Sequence, residues 1–559
     1  MSALILLAAL TCHLFFKRYE PTNIPLLVGL LLLPPLLLTF LTHDGSLGVS
    51  TLKSLLHSYT LYFSALGLSI LAYRASPLHP LYAYPGPVPC RLSKFYLAYV
   101  SSRGKMHLYV QRLHDAYGPV VRIGPNELSI SDVSLLPNIL GANGMPKGPL
   151  WDGRRISGQK GPAARAAARG NLINSRDLTL HAAARKAWTR AFSPAAIRGY
   201  EPILIRRVAQ LAEALAGKGE GGVVDLSRWL SFFAFDFMGD LAFGGGFELM
   251  RDGDSEGLWH IMERGLYLPA LTQHVPWSTD LLPYLPRVGQ EMRALGKFAF
   301  EQARRRLDAG SLQNDLFYHL MDESLRADAA PYPFPLVVSN AVLAIIAGSD
   351  TSATVLTNTF FLLLAHPGSY RRLQAELDGA FPVGGKEPTD AAVLAGLPYL
   401  NAVIKESLRM LPPVATSLQR APTVGSGPKV LGDRFVIPEG TAVVVPPYTL
   451  HHDPRYFSPS PEQYMPERWL AHDDRDPDSA KKFINNEDAF IPFSMGPANC
   501  VGRSLAMLEM RMVVAFVMQG YEMRFADGYD EGRWEAELKD YFVMQKGSLP
   551  VVLTRRSCK

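Results

Sequence analysis

The feature that most constrains this chain is a cysteine between a glycine-bearing loop and an apolar stretch with helical spacing. Cys500 follows Phe493 and Gly496, and Gly502 lies just beyond it in the apolar stretch 501–518. Backbone N–H groups at the first turn of a helix lower the pKa of a thiol and hydrogen-bond to its sulfur. Gly496 permits a tight turn, and Gly502 lets the backbone lie close against a flat partner. An isolated cysteine would be read as a structural core residue, but the glycines and Phe493 favour a thiolate ligand.

This loop resembles the cysteine-ligand loop of the cytochrome P450 family, whose pattern is F-x-x-G-x-R-x-C-x-G. The resemblance implies haem as the cofactor, with Cys500 as the axial ligand of its iron and Phe493, Gly496 and Gly502 around it. A cysteine thiolate pushes electron density onto the iron and favours O–O cleavage. Ala498 occupies the position of the family's arginine, which normally meets a haem propionate. Either another residue compensates for that arginine or haem is held less tightly.

The composition excludes several classes of protein. Of the 559 residues, 48% are apolar and 19% charged, and the formal net charge is +5. A chain of this length can form one large fold, and its composition suits a membrane-attached enzyme better than a nucleic-acid-binding or disordered protein. The four cysteines include no C-x-x-C pair, which argues against a disulfide framework and a zinc site. Cys558 is not in a prenylation motif, and a reduced, cytosol-facing catalytic domain is the simplest interpretation.

Residues 1–75 are predicted to form a membrane anchor with two to three transmembrane helices. Apolar runs cover residues 3–16, 24–42 and 55–73. Since a bilayer span needs about 20 apolar residues, the second and third runs qualify and the first is marginal. The first run lacks a basic n-region and a clear cleavage site, which disfavours a signal peptide. Basic residues after the first and third runs predict a lumenal N-terminus and a cytosolic body, in the endoplasmic reticulum membrane.

The rest of the chain is predicted to be a hinge followed by one catalytic domain. Five prolines in residues 76–90 favour an extended, stiff connector, which resembles the hinge after the anchor of microsomal family members. The catalytic domain is predicted at 91–559, as a mainly α fold with a smaller β region, the cytochrome P450 fold. Residues 120–123 and 128–131 predict a hairpin. The stretch 141–176 predicts a long loop whose basic residues form a solvated surface.

A long apolar run over residues 336–365 contains polar residues at its centre. Gly348, Asp350 and Thr351 are costly in lipid, so a core helix is favoured over a further membrane span. The alternative reading of these residues is a polar kink in that helix. The segment matches the family's A-G-x-D/E-T motif. The resemblance implies that Gly348 opens a groove beside haem and that Asp350 and Thr351 are catalytic, guiding protons and water to dioxygen.

Two charged residues three apart, Glu406 and Arg409, share a helix face. Alone, such a pair is usually a surface ion pair that contributes little, but apolar neighbours make burial plausible. The pair matches the family's E-x-x-R motif, and the resemblance implies that Arg468 completes a structural network behind haem.

Candidate partners of the haem propionates follow from the same resemblance. Propionates are anions that need cationic or hydrogen-bonding partners. His181 and Arg185, four apart, resemble the contacts made by the third family helix, with histidine in place of the frequent tryptophan. Arg420 resembles another propionate ligand. These three residues would offset the loss at Ala498.

The resemblance implies an oxygen-dependent monooxygenase that inserts one oxygen atom into a lipophilic small molecule. The sequence contains no flavin or nicotinamide fingerprint, so electrons must come from a membrane-bound, NADPH-dependent flavoprotein reductase. The family's substrate pocket corresponds to residues 141–176, 258–284 and 342–347. Fungal-like motifs point to secondary metabolism and a terpenoid substrate. Two alternatives stay open: a haem-thiolate isomerase or dehydratase that needs no oxygen, and a non-catalytic haem-binding membrane protein.

Overall fold

Three N-terminal helices correspond to the three apolar runs: α1 (Ser2–Tyr19), α2 (Ile24–Leu41) and α3 (Val49–Ala75). They pack around the fully buried Ile5 and Tyr62, while many of their leucines are exposed. Together with a fourth helix in the main body, they are long and apolar enough to cross a membrane. Exposed leucines on a three-helix bundle are what a lipid-facing surface requires.

The structure is a computed structural model, and it describes residues 2–19, 23–41, 49–155, 166–167, 170–217, 222–255, 257–282, 285, 288–310, 315–321, 333–432, 435–470 and 483–556. Cys558, residues 156–165 and 168–169 of the predicted loop, and residues 283–284 of the predicted pocket lie outside these ranges.

The proline-rich segment after α3 folds into turns and packs on the main body. The expectation of an extended connector was wrong, because residues 76–84 form consecutive turns. The buried Arg122 donates hydrogen bonds to the carbonyls of Arg74, Leu81 and Pro125. The first two of these bonds hold the end of α3 and the first half of the segment against the body. The boundary of the catalytic domain at residue 91 stays a prediction.

The main body is built mostly from helices. In chain order they are α4 (Val88–Leu92), α5 (Lys94–Ser102), α6 (Met106–Tyr117), α7 (Leu136–Leu140), α8 (Leu178–Ala191), α9 (Pro194–Ala216), α10 (Leu226–Phe243), α11 (Leu249–Asp252), α12 (Leu258–Gly265), α13 (Tyr267–Thr272), α14 (Gln290–Ala309), α15 (Leu316–Met321), α16 (Phe334–Ala365), α17 (Pro367–Ala380), α18 (Ala391–Gly396), α19 (Pro398–Met410), α20 (Pro447–His451), α21 (Arg503–Gly520) and α22 (Arg533–Glu537). Short 3₁₀ turns lie at Val133–Leu135, Pro149–Arg154, Pro276–Asp280, Pro466–Trp469, Glu487–Ala489 and Gly496–Ala498.

The strands form small sheets at the edge of the helical body. They are β1 (Val120–Gly124), β2 (Glu127–Ile130), β3 (Val223–Asp225), β4 (Leu418–Arg420), β5 (Lys429–Leu431), β6 (Phe435–Ile437), β7 (Ala442–Val445), β8 (Phe457–Ser458), β9 (Ile484–Asn485), β10 (Tyr521–Phe525), β11 (Lys539–Tyr541), β12 (Val543–Gln545) and β13 (Pro550–Arg555). The largest sheet has the order β1-β2-β7-β4, and a second has the order β10-β13-β3. The predicted hairpin is confirmed, because β1 pairs antiparallel with β2.

The central element of the body is α16, which is continuous over 32 residues. It packs along α10 and against α21, the helix that begins just after Cys500. Twenty of its residues are buried, which is why its apolar length serves a protein core here. The mainly α fold with a smaller β region is therefore confirmed, and α16 and α21 are the two helices that position the site.

Candidate functional site

The loop before α21 holds Cys500 in a tightly constrained turn. The Cys500 N–H donates to the Phe493 carbonyl at 2.9 Å. Gly496 has φ of +70°, and a side chain there would collide with the carbonyl of Leu140. Only glycine fits this position without distortion. At Gly502 a side chain would meet only ordinary contacts, so the protein itself does not require that glycine.

Cys500 is an exposed residue, although the protein surrounds it closely enough for burial to raise the pKa of its thiol. An exposed residue in such surroundings lines an internal opening. The backbone N–H groups of Gly502 and Arg503 and the charge of Arg185 act in the opposite direction and lower the pKa. Since a coordinated thiol is deprotonated outright by its metal, this environment suits a ligand that ionises on binding.

Arg185, on α8, braces the cysteine loop. Its Nη1 donates to the Asn499 carbonyl at 2.5 Å and its Nη2 donates to Asn499 Oδ1 at 2.7 Å. Two parallel hydrogen bonds from one guanidinium fix both position and orientation. The structure thus places Arg185 against the residue preceding Cys500, and its sequence-predicted contact with a propionate stays a prediction.

The side of α16 that carries Thr351 faces an opening in the core. Ala347 is exposed and Thr351 half-buried, although Ser349, Asp350 and Ser352 beside them on the helix are buried. The Thr351 hydroxyl donates to the Ala347 carbonyl at 2.6 Å, so its oxygen lone pairs remain able to accept a hydrogen bond. Gly348 makes room for a neighbour on α10, since a Cβ there would lie 2.5 Å from the sulfur of Met238.

Asp350 is buried and contacts a lysine that no motif indicated. Its Oδ1 lies 3.8 Å from Nζ of Lys546, and both side chains are 2% exposed. Its Oδ2 has no hydrogen-bond partner among the described residues. Burial raises the pKa of Asp350, and the charge of Lys546 opposes that rise. Burial therefore makes the protonated form of this carboxyl more accessible than that of an exposed aspartate. The structure shows no direct hydrogen bond between Asp350 and Thr351 in the described part of the chain.

The structure brings Glu406, Arg409 and Arg468 together in a fully buried network. Arg409 donates to both carboxylate oxygens of Glu406, at 2.8 and 2.9 Å, and Arg468 Nε donates to Oε1 at 3.0 Å. Trp469, which the sequence analysis missed, adds a hydrogen bond from its indole N–H at 2.8 Å. Burial pushes the pKa of Glu406 upward, but the hydrogen bonds and charges of the arginines outweigh it, and the pKa is lowered.

The network reaches the segment that leads to the cysteine loop. Arg409 Nη1 donates to the carbonyls of His451 and Pro461. His451 Nε2 in turn accepts from the N–H of Ile491, two residues before Phe493. The network therefore ties α19 to the chain that enters the cysteine loop, a geometry that supports a structural role.

A cluster of basic side chains lies on another side of the site. His181 on α8 and Arg420 on β4 are buried, and so is Lys147. Burial and the charges of Lys147, Arg185 and Arg420 lower the pKa of His181 to about 4. Burial also lowers the pKa of Arg420 to about 10. Within the described ranges, none of these side chains has a carboxylate within ion-pair distance.

This cluster and Cys500 fit haem. A cysteine sulfur in an internal opening can ligate the iron, and buried cations without acidic partners suit its carboxylates. Ala498, inside the 3₁₀ turn Gly496–Ala498, contributes no charge. The expectation that the basic residues of 141–176 are solvated was wrong for Lys147, which is 8% exposed. A single lysine in a glycine-rich stretch has no periodicity that would have revealed its burial.

Comparison with known proteins agrees with this geometry. The model of the family described as Cytochrome P450 matches residues 84–548. Cytochrome P450 67 of Uromyces fabae is 32% identical over 99% of this chain and 99% of its own length. Cytochrome P450 monooxygenase nodW of Hypoxylon pulicicidum is 32% identical over 93% of this chain and 92% of its own. Tryprostatin B 6-hydroxylase of Aspergillus fumigatus is 30% identical over 89% and 84%, respectively.

Proposed function

The chain belongs to the cytochrome P450 family, and from that premise we propose that it is a membrane-attached haem-thiolate monooxygenase acting on a lipophilic small molecule. The observation that carries the proposal is the exposed Cys500, in a loop braced by Arg185 and beside basic side chains that have no acidic partner among the described residues. Haem bound through Cys500 supplies the activation of dioxygen.

The residues of the chain have separate tasks in this proposal. Asp350 offers Oδ2, the oxygen without a hydrogen-bond partner among the described residues, as the atom that takes up and passes on a proton, and Nζ of Lys546 lies 3.8 Å from the other oxygen. The Thr351 hydroxyl faces the opening and orients water there. Proton delivery by a positioned carboxyl is general acid catalysis, for which a raised pKa is an advantage. Glu406, Arg409 and Arg468 hold the loop that carries Cys500.

The electrons and the substrate come from partners outside the chain. We propose an NADPH-dependent flavoprotein reductase as donor, because the sequence carries no flavin or nicotinamide fingerprint. One relative is named as a hydroxylase of tryprostatin B, which supports a fungal secondary metabolite as substrate, and a terpenoid is a further candidate class for screening. Helices α1 to α3 would anchor the enzyme in the endoplasmic reticulum, with the catalytic domain in the cytosol.

The first experiment is a carbon monoxide difference spectrum of dithionite-reduced membranes that contain the full-length protein. A strongly red-shifted Soret band is expected, because thiolate-ligated haem forms despite Ala498. Well-folded protein without any haem band would refute the proposal, and a band at shorter wavelength would show that the thiolate is lost. Dependence of turnover on NADPH and dioxygen then separates a monooxygenase from an isomerase or dehydratase and from a non-catalytic haem protein.

A further inference from the structure

Lys147 is held beside Arg420 by main-chain pairing. The two residues form an antiparallel bridge. The Ala421 N–H donates to the Pro146 carbonyl at 3.0 Å, and the Gly148 N–H donates to the Gln419 carbonyl at 3.3 Å. The segment between α7 and the turn Pro149–Arg154 therefore extends the edge of β4. Its register places Lys147 next to Arg420 as a fixed feature of the fold.

The side chain of Lys147 is fixed as well. Its Nζ donates to the carbonyls of Leu172 and Ile173, at 2.7 and 2.8 Å, just before α8. An ammonium group has three N–H donors. Two of them are accepted by these carbonyls, and the third has no hydrogen-bond acceptor among the described residues, with the centre of the Trp151 ring 5.5 Å from Nζ. The charges of Arg420 and Arg185 act on this ammonium, and its own charge acts on His181.

Such a cluster is unfavourable unless an anion joins it. Burial disfavours the charged form of Lys147, and the neighbouring positive charges disfavour it further. A buried charge without a partner destabilises a fold, whereas a buried charge that meets its counter-ion does not. Among the described residues no carboxylate supplies that counter-ion. The arrangement is therefore that of a site for a carboxylate from outside the chain.

The usual cation on the cysteine side is missing. Ala498 has no charge, and Arg185 spends Nη1 and Nη2 on Asn499. The carboxylates of haem would thus find less positive charge near the cysteine loop than the family pattern provides. Lys147 approaches from a different segment and adds one buried positive charge to those of Arg420 and Arg185.

We propose that Lys147 takes the place of the missing arginine at position 498 and binds a haem carboxylate together with Arg420 and His181. The inference rests on the proposed function, because it requires haem in this site. It assigns Lys147 as a cofactor-binding residue of this chain and makes the segment that pairs with β4, between α7 and the turn Pro149–Arg154, part of the haem site.

The test measures the rate at which purified full-length holoprotein loses haem to excess apomyoglobin. Lys147→Met is expected to lose haem at least about ten-fold faster than the wild type, the effect of losing one charge-assisted hydrogen bond. Lys147→Arg keeps the charge and is expected to stay close to the wild type. Lys186→Met is the matched control, because Lys186 is an exposed lysine on the same helix as His181. Equal rates for Lys147→Met and the wild type would overturn the inference.

A rescue experiment makes the assignment independent of folding defects. Ala498→Arg in the Lys147→Met chain is expected to restore slow haem loss, or to restore haem content if Lys147→Met alone accumulates poorly. A double variant that folds yet loses haem as fast as Lys147→Met, or that fails to restore accumulation, counts against the inference. If the wild type itself folds without haem, the proposed function fails. That outcome is different from either the success or the failure of the rescue, which concern Lys147 alone.

Discussion

Two groups of buried charged side chains in this molecule differ in whether they contain both positive and negative charges. Around Glu406, two arginines surround one carboxylate, and both of its oxygens accept hydrogen bonds. Around Lys147, cations gather without a carboxylate in the described part of the chain. The first group is complete within the protein, and the second becomes complete only with an anion from outside.

Whether a buried charge has its counter-charge inside the protein indicates whether it serves folding or ligand binding. A complete network stabilises the fold by itself, and removing one member leaves the others stranded. An incomplete cluster lowers the stability of the empty protein and stabilises the complex with its ligand, so its members act on binding. Asp350 lies between the two cases, with one oxygen facing Lys546 and the other without a hydrogen-bond partner among the described residues.

The largest effect is expected at the complete network. Glu406→Gln leaves two buried arginines without their counter-charge and should lower the free energy of unfolding by about 3–5 kcal/mol, with or without haem. Urea unfolding of the full-length protein in detergent measures this loss. Glu301→Gln is the control, because the Glu301–Lys297 pair on α14 is exposed and its loss should cost less than about 1 kcal/mol. Similar losses in the two variants would show that the buried network of Glu406 stabilises the fold no more than an exposed ion pair does.

The stabilities of variants at Asp350 and Lys546 should show that these two side chains interact. Lys546→Met strands the carboxylate of Asp350 and is expected to lower the free energy of unfolding by about 2 kcal/mol at neutral pH. Asp350→Asn in the same chain removes the stranded charge and should recover part of that loss. A double-mutant cycle of urea unfolding measures the coupling. Strictly additive losses would mean that the two side chains do not interact.

These two predictions concern groups that the sequence revealed to different degrees. Glu406 and Arg409 are three residues apart, so local spacing predicted their shared face, and the central helix and the β1–β2 hairpin were equally visible in local patterns. Arg468, in contrast, was placed by family resemblance alone. Lys546 was missed, because it lies far along the chain from Asp350 and a single lysine has no periodic signature.

The cluster around Lys147 likewise contains a residue that local sequence patterns do not reveal. His181 and Arg420 were identified through the resemblance, but Lys147 lies in a stretch whose composition favours a solvated loop. Its burial depends on pairing with β4, more than 270 residues later, which local sequence cannot encode. The connector after α3 was misjudged for a related reason, since Arg122 donates a hydrogen bond to the carbonyl of Leu81 within it, 41 residues earlier in the chain.

A substitution in the cluster around Lys147 should weaken haem binding without lowering the stability of the haem-free protein. Arg420→Met removes a positive charge from the cluster and is expected to accelerate haem loss about ten-fold. The free energy of unfolding of the haem-free protein should not fall, because the repulsion from Lys147 is relieved at the same time. Haem transfer to apomyoglobin and urea unfolding of the haem-free protein test both parts. If the haem-free variant is less stable than the haem-free wild type, Arg420 stabilises the fold itself, as the residues around Glu406 do.

The smallest expected effect is a pH dependence that comes from His181. In the haem-free chain, burial and the charges of Lys147, Arg185 and Arg420 lower the pKa of this histidine to about 4, from an ordinary value of 6.5. Between these two values the unfolded chain binds the proton and the folded chain does not, so stability falls as the pH decreases. From pH 7 to pH 6 the contribution of His181 amounts to roughly 0.7 kcal/mol.

His181→Gln removes this contribution, so the haem-free wild type should lose more stability than the variant over that interval. Urea unfolding of both proteins at pH 7 and pH 6 gives the difference, which cancels the contributions of other buried histidines such as His79 and His114. Parallel pH dependences would show that His181 is not held neutral by its neighbours. With haem bound, the difference should shrink, because a carboxylate beside the imidazole offsets the surrounding positive charge and brings its pKa back toward the ordinary value. The histidine would then report directly on whether the cluster has received its anion.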